Sequence, residues 1–443
     1  MRRPTYDLTQ PGWAIAIAVA LLLTVGIASI YVTDTHYVRG HDGPRNALKQ
    51  CAFVLCGLMV AAAVLKIGYA SISRHAYVVF FVLLIALVPL LVARVASSTF
   101  GGIIKPRNGA YRWINLPGFQ LQPSEFMKVA YLISLAWYLR YRKNYRRLGG
   151  LLVPLAVSML PLSLILFEPD LGTALLLLSV MFTMLFAAGA RLRHLALIVL
   201  LGAVVAPVAW GRLREYQRLR ITAVLLQSDT LRQAVIEHPE SFEALASKRQ
   251  AVEWAASSGY QLVHSKNAVG SGAITGCGWG NGVYVTSGLL PDRHNDFIFS
   301  VIAHQWGFLA CIMVVGCYTV IVLSGARIAS ATIEPCGRLL AVGVVALIVT
   351  QAAINIGMAV GLMPITGMTL PFVSYGGSSL LSDFIATALL ISVSQHRPFL
   401  LAVRPFEFTR EHAEKLHVPV PPASGSEAAE SESSECCGAR LPG

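Results

Sequence analysis

The 443 residues are 55% hydrophobic and only 13% charged, with a mean hydropathy of +0.61. Soluble domains carry roughly 25% charged residues, so an ordinary soluble fold is excluded before any motif is read. The formal charge of +12 suggests nucleic acid only until the charges are placed along the chain.

Apolar runs near the ~20 residues that cross a bilayer occur at 12–33, 50–66, 76–93, 122–139, 150–167, 171–190, 194–211, 297–325, 338–361 and 377–395. They predict an all-α polytopic membrane protein with about ten transmembrane helices. The first run follows Arg2 and Arg3 but exceeds the ~7–15-residue apolar stretch of a signal peptide, and it reads as a helix. With the N-terminus inside, the short cytoplasmic loops hold fifteen Lys and Arg and the short outer loops seven. That asymmetry puts both termini in the cytoplasm and leaves 212–295, between the seventh and eighth spans, as a large extracytoplasmic loop. The basic character is therefore a topology signal, and no nucleic-acid partner is expected. Residues 1–404 form one transmembrane domain, and 405–443, rich in Ser, Glu and Ala, a disordered cytoplasmic tail. The eight cysteines are split between apolar runs and the reducing side and make neither a disulfide framework nor a metal site.

In chain order, the first polar stretch of interest is Asn108 to Ile114, with Arg112 beside Trp113. Gln122-Pro123-Ser124-Glu125 then reads as a helix start, with Pro near the first turn and an acid favoured by the helix dipole. Glu125 and Lys128 lie three apart on one face. A lysine that deep in a span is either half of a structural ion pair or a cation lining a cavity for an anionic substrate. The Arg140–Arg147 cluster, interleaved with tyrosine, suits anionic lipid headgroups. Asp170 opens a helix with Leu171-Gly172-Thr173 and reads as its cap. In the outer loop, Gln227 to Ser257 has helical spacing and reads as an amphipathic segment on the membrane surface. Lys266 and the glycine-rich 270–282 follow, glycines that permit close backbone approach and anion-binding nests. The loop ends in Pro291-Asp292-Arg293-His294-Asn295-Asp296 at the mouth of a long apolar run. Asp292 shares a helical face with Asp296 if the helix starts early. On residue physics alone, Asp296 is equally a helix N-terminal acid and a catalytic base. Segment 361–379, with Ser374, is too apolar for a free loop and too broken for a helix, which fits backbone lining a cavity.

These stretches resemble the SEDS proteins (shape, elongation, division and sporulation). The resemblance rests on GAYRWI at 109–114, QPSEFMK at 122–128, EPDLGTALL at 168–176, GYQLVHSKNAVGSGAITG at 259–276, LPDRHNDFIFSVIAHQWGF at 290–308 and NIGMAVGLMPITGMTLPFVSYGGSS at 355–379. SKNAVGSG and PDRHNDFIF are worded more like the elongation member, RodA, than the division member, FtsW. The chain departs from the family's usual residues at Glu168 (Gln), Ala273 (Gly), Asp292 (Glu), Asn295 (Thr) and His304-Gln305 (Glu-Glu). The resemblance implies a peptidoglycan glycosyltransferase in the bacterial inner membrane that polymerises lipid II at the outer face by inverting glycosyl transfer. It implies Asp296 as the essential acid, with Arg112, Glu125, Lys128, Lys266, Arg293, His294 and Ser374 as candidate substrate contacts. It also implies a class B penicillin-binding transpeptidase and other elongation-complex membrane proteins as partners. Diphosphate leaves without a general acid, so one carboxylate plus cations can suffice where a glycosidase needs a pair. A divalent cation (Mg or Mn) would be an assistant, since no ligand cluster requires one. The other classes open to the sequence are a lipid II flippase and a non-catalytic scaffold for a transpeptidase.

Overall fold

A computed structural model describes residues 11–37, 45–96, 104, 111–116, 119–142, 146–168, 170–212, 215–242, 245–256 and 259–395. The proposed tail at 405–443 lies outside the described residues. Each of the ten predicted runs is a helix. They are α1 (Pro11–Tyr37), α2 (Arg45–Ile67) and, after the short α3 (Tyr69–Arg74), α4 (Ala76–Val95), then α5 (Pro123–Leu139), α6 (Leu148–Phe167), α7 (Leu171–Ala187) and α8 (Leu192–Arg212). After the outer segment come α15 (Ile298–Ala331), α16 (Pro335–Ala359) and α17 (Gly377–Gln395). Seven of the described helices are long and apolar enough to cross a membrane.

Burial sorts these helices. In α16 and α17, 67% and 72% of the most apolar window is buried, against 17% in α2 and 28% in α4 and α6. The first two, with α5, form the centre of the bundle, and the outer helices present apolar faces that only lipid or another apolar partner can satisfy.

Two local features depart from the sequence expectation. A two-stranded antiparallel hairpin, β1 (Ile114–Leu116) and β2 (Phe119–Leu121), precedes α5, with Ile114 opposite Leu121. The segment 227–257 is not one amphipathic helix. It is broken into α10 (Asp229–Glu237), α11 (Pro239–Phe242) and α12 (Lys248–Val252), after a separate α9 (Glu215–Leu225). Pro239 starts a new helix because it cannot donate within the old one. Ser247 and Gln250 make a reciprocal capping box that starts the next. Leu226, Val235, Ala251 and Trp254 are buried in a second small core, and the Trp254 indole N–H donates to Ala223 O at 2.9 Å.

The glycine-rich stretch after α13 (Tyr260–Ser271) and before α14 (Val283–Thr286) makes the close backbone approach that its glycines permit. It is docked against a break in α15, where Gly307 has φ 70° and ψ −163°. A helix interrupted inside a membrane protein must find other partners for its freed backbone groups. Here Cys277 N–H and Gly278 N–H donate to His304 O and Gln305 O (2.9 and 3.0 Å), while Phe308 N–H and Leu309 N–H donate to Ala273 O and Ile274 O (3.0 and 3.4 Å). His304 Nδ1 lies 2.8 Å from Ser271 Oγ. The His304-Gln305 departure therefore falls on this joint, away from the cavity described below. A Cβ at Gly307 would collide with Gly276 N and Ile274 O, so Gly307→Ala is expected to lower the melting temperature strongly. Ala273 holds φ 45°, a left-handed conformation that costs a non-glycine residue about 1–2 kcal/mol. Ala273→Gly is accordingly expected to raise the melting temperature. Equal melting of the two variants would contradict this account of the joint.

Candidate active site

A cavity of about 580 Å³ opens among the N-terminal ends of α2, α5, α7 and α17, the C-terminal part of α16 and the residues just before α15. Its size falls in the usual range for a small-molecule site. Its wall carries charge of both signs: Arg112, Arg220 and Lys49 against Glu125, Asp170, Asp292 and Asp296.

Asp296 lies two residues before the first residue of α15. Residues 291–297 are turn, and Asp292, at φ 47°, accepts Asn295 N–H and Asp296 N–H through its carbonyl (3.0 and 3.1 Å). The early helix that would align Asp292 with Asp296 does not form, although both side chains face the cavity. Instead three successive carbonyls are gripped from across the bundle. His294 O accepts Tyr375 N–H (2.9 Å), Asn295 O accepts Ser374 Oγ–H (2.6 Å) and Asp296 O accepts Asn355 Nδ2–H (2.9 Å). Asn355 also donates to Met368 O at 2.6 Å, so one amide ties the acid to the broken segment 361–376. A Cβ built on Gly367 (φ 75°) would stand 3.5 Å from Asp296 Oδ2 and 4.0 Å from Arg220 Nη1. The carboxylate and the guanidinium thus flank one glycine, and Arg220 is further held by Thr366 O at 3.3 Å.

Of the eight sequence candidates, Arg112, Glu125 and Asp296 line the cavity. Lys128 is 1% exposed and stands behind the wall, its Nζ 2.6 Å from Glu125 Oε2 and 3.1 Å from Gln351 Oε1. That is the geometry of a structural ion pair. The other four are not in the lining. Arg293 donates to Val285 O and Thr33 O (2.7 and 3.0 Å), clamping α14 to the end of α1. Lys266 donates to Gln227 Oε1 at 3.0 Å. Ser374 spends its hydroxyl on Asn295 O and on Leu370 N–H (2.8 Å). His294 packs its ring against Tyr375 at 5.9 Å. The structure thus places Arg293 and Ser374 on backbone groups, Lys266 on a glutamine side chain and His294 against an aromatic ring, all outside the cavity lining. In each case charge or hydroxyl chemistry was readable from sequence while the partner was not.

Arg220, Gln351, Asn295 and Asn355 were passed over. Gln351 and Asn355 did carry a signal, as two amides four apart inside an apolar run, where polar side chains share a face and need partners. Asp170 caps α7 as expected, with Oδ1 accepting Thr173 N–H at 3.2 Å, and it also sits 3.8 Å from Arg112 Nη1. Arg112 Nε donates to Glu168 O at 3.0 Å.

Glu168 occupies the turn after α6, is 1% exposed, and neither carboxyl oxygen has a hydrogen-bond partner among the described residues. Burial, then repulsion from Asp170, pushes its carboxyl from the ordinary 4.5 up to about 9, against the pull of Arg112 and Arg94. A carboxyl that holds its proton more tightly when folded contributes stability in full below about 4.5 and loses it progressively as pH rises toward about 9. Glu168→Gln, with no proton to lose, is expected to flatten the fall in melting temperature across that window. A wild-type melting temperature that does not fall there would refute the buried protonated acid.

Comparison with known proteins agrees with this architecture. The profile of the family described as "Cell cycle protein", that of FtsW, RodA and SpoVE, matches residues 13–398. The chain is 35% identical to a probable peptidoglycan glycosyltransferase FtsW of Trichlorobacter lovleyi, over 89% of this chain and 95% of the relative. It is 30% identical to the peptidoglycan glycosyltransferase MrdB of Escherichia coli K12, over 79% of this chain and 85% of that one. A solved chain, described under "Structural coordination of polymerization and crosslinking by a peptidoglycan synthase complex", superposes with a TM-score of 0.67 at 26% identity, covering 88% of this chain and 98% of that one. The higher identity to a relative with the division name removes the preference for the elongation member that the motif wording gave.

Proposed function

The chain belongs to the FtsW, RodA and SpoVE family of multi-pass membrane proteins, and from that membership we propose that it is a peptidoglycan glycosyltransferase that polymerises lipid II. The observation that carries the reading is Asp296: a carboxylate whose backbone is gripped at three successive carbonyls and whose side chain faces a polar cavity beside Arg220. In the proposed reaction Asp296 takes the proton from an acceptor sugar hydroxyl as the oxygen attacks C1 of the donor sugar. The bond from C1 to the lipid diphosphate breaks on the opposite face, with inversion, and the proton passes from Asp296 to solvent. Charge developing on the departing diphosphate needs cations fixed in place. Arg220 and Arg112 line the cavity and take that role, the planar guanidinium being well matched to phosphate oxygens. Among the described residues no three His, Cys, Asp or Glu side chains are grouped to hold a metal ion.

In this reading the cavity opens at the outer face of the bacterial inner membrane, where a flipped lipid-linked sugar is presented, and the loop-charge asymmetry supports that orientation. The likeness to a chain from a synthase complex supports a cross-linking partner, a penicillin-binding transpeptidase, docked in the same membrane. Purified protein, together with that partner where it is required, is given labelled lipid II in detergent. Glycan strands are the expected product. No polymer, but movement of lipid II across liposomes, would replace the reading with a transporter. Failure in both assays would leave a scaffold.

A further inference from the structure

The loop that fills the break in α15 is unlike the rest of the outer segment. Residues 267–291 contain no Asp, Glu, Lys, Arg or His, although charged residues are frequent from Arg212 to Lys266 and again from Asp292 to Asp296. Nor does the loop hide its apolar side chains. Ile274 and Trp279 are more than half exposed, and so are Phe308 and Leu309 on the α15 side of the joint. These residues form one surface. Ile274 O accepts Leu309 N–H at 3.4 Å, Ala273 O accepts Phe308 N–H at 3.0 Å, and the Trp279 ring lies 5.5 Å from that of Trp306. A contiguous apolar patch of this kind needs a cover.

Three observations point to the same cover. The patch continues into the exposed side of α15, where Ile312, Val315 and Leu323 follow at helical spacing, and α15 is one of the helices long and apolar enough to cross a membrane. The level of the joint agrees. Arg327 is the one Lys or Arg of α15 and lies near its inner end. About 20 helical residues cross a hydrocarbon core, so counting back from Arg327 puts the outer edge of that core near Gly307. Trp279 and Trp306 then stand at headgroup level, where tryptophan is enriched. Finally, the loop's backbone does not depend on water. The N–H groups of Gly276, Cys277, Gly278 and Asn281 donate to Gly272 O, His304 O, Gln305 O and Gly278 O (2.7, 2.9, 3.0 and 3.3 Å), which is what irregular backbone at membrane depth requires.

We propose that loop 273–280 is seated in the outer leaflet of the membrane, with Ile274 and Trp279 inserted among phospholipid glycerol groups and upper acyl chains beside Phe308 and Leu309. The depth of the joint at Gly307 is then set by lipid. This seat is independent of the reaction assigned to Asp296. The competing cover is a protein partner, which would leave the patch facing water in the isolated chain.

The test uses the full-length protein in phosphatidylcholine liposomes, with the Trp279 signal taken as the emission of wild type minus that of Trp279→Phe. Lipids brominated high on the acyl chain are expected to quench that signal by about half or more, lipids brominated near the chain end less, and aqueous acrylamide little. Quenching by acrylamide with none by either brominated lipid would put the patch in water and overturn the proposal in favour of a protein cover. A second measurement needs only the wild type: liposomes containing a phosphatidylcholine with a photoactivated diazirine in its acyl chain, and adducts mapped by mass spectrometry. Adducts are expected within 274–279 as well as on the exposed Leu55, Leu58 and Met59 of α2. Labelling of α2 with none in 274–279 would overturn the proposal, whether or not Trp279→Phe folds. A chain that fails to polymerise lipid II yet shows the quenching and the adducts would refute the enzyme reading and leave this one standing.

Discussion

Asp296→Asn is expected to slow polymerisation of lipid II by about 10²–10⁴-fold, the usual contribution of a positioned general base, without changing the melting temperature. Asparagine is nearly isosteric, and the contacts to the carbonyls of His294, Asn295 and Asp296, which hold the turn in place, survive the substitution. Asp292→Asn is the matched control. It makes the same chemical change in the same cavity, and asparagine tolerates the left-handed φ of 47° found there. Turnover in Asp292→Asn is expected to stay within about tenfold of wild type, because that level of loss corresponds to about 1.4 kcal/mol of transition-state contact. Equal losses in the two variants would deny Asp296 its separate role. Gel analysis of glycan length, with initial rates at saturating lipid II, reads both.

The second large effect is on stability. Lys128→Met is expected to destabilise the fold by about 3–5 kcal/mol, the usual penalty when one partner of a buried ion pair is removed and the other charge is stranded. Glu125 would keep only Ser382 Oγ, at 3.5 Å, of its present side-chain partners named here, and Gln351 Oε1 would lose its donor. Adding Glu125→Gln removes the stranded charge, so the double variant should recover much of the loss. Thermal melting in detergent separates the cases. A Lys128→Met chain that melts with wild type would show that the pair carries no stability.

What sequence could reveal follows from where the information resides. A membrane span must satisfy its hydrogen bonds internally and its hydropathy locally, so α1, α2, α4 to α8 and α15 to α17 were legible as apolar runs. The hairpin at 114–121 was not, because three-residue strands leave almost no periodicity. The break at Gly307 was hidden for another reason. It lies in an apolar run, and its replacement hydrogen bonds come from Ala273 to Gly278, a partner that only the fold brings near. Site residues divide the same way. Glu125 and Asp296 stand at helix mouths, where a charge has few other places to go, Arg112 lies just before the hairpin, and all three reach the cavity. Arg293 sits three residues before Asp296 yet turns to Thr33 O, a contact no local pattern encodes. Arg220 reaches the site from an outer segment that reads only as basic.

The joint at Gly307 has a mechanical meaning. In an unbroken α-helix each residue turns the next by about 100°, so any axial rotation or slip of the lower part would swing a group at its upper end around the axis. Here the hydrogen-bond ladder is diverted sideways at 304–309 into the 273–278 loop. The angular phase of residues 298–306 is thereby referenced to that loop as well as to the length 308–331. The lower length has its own anchor, Tyr318 Oη–H to Pro371 O at 2.6 Å, so the bearing of the acid above is set at the joint.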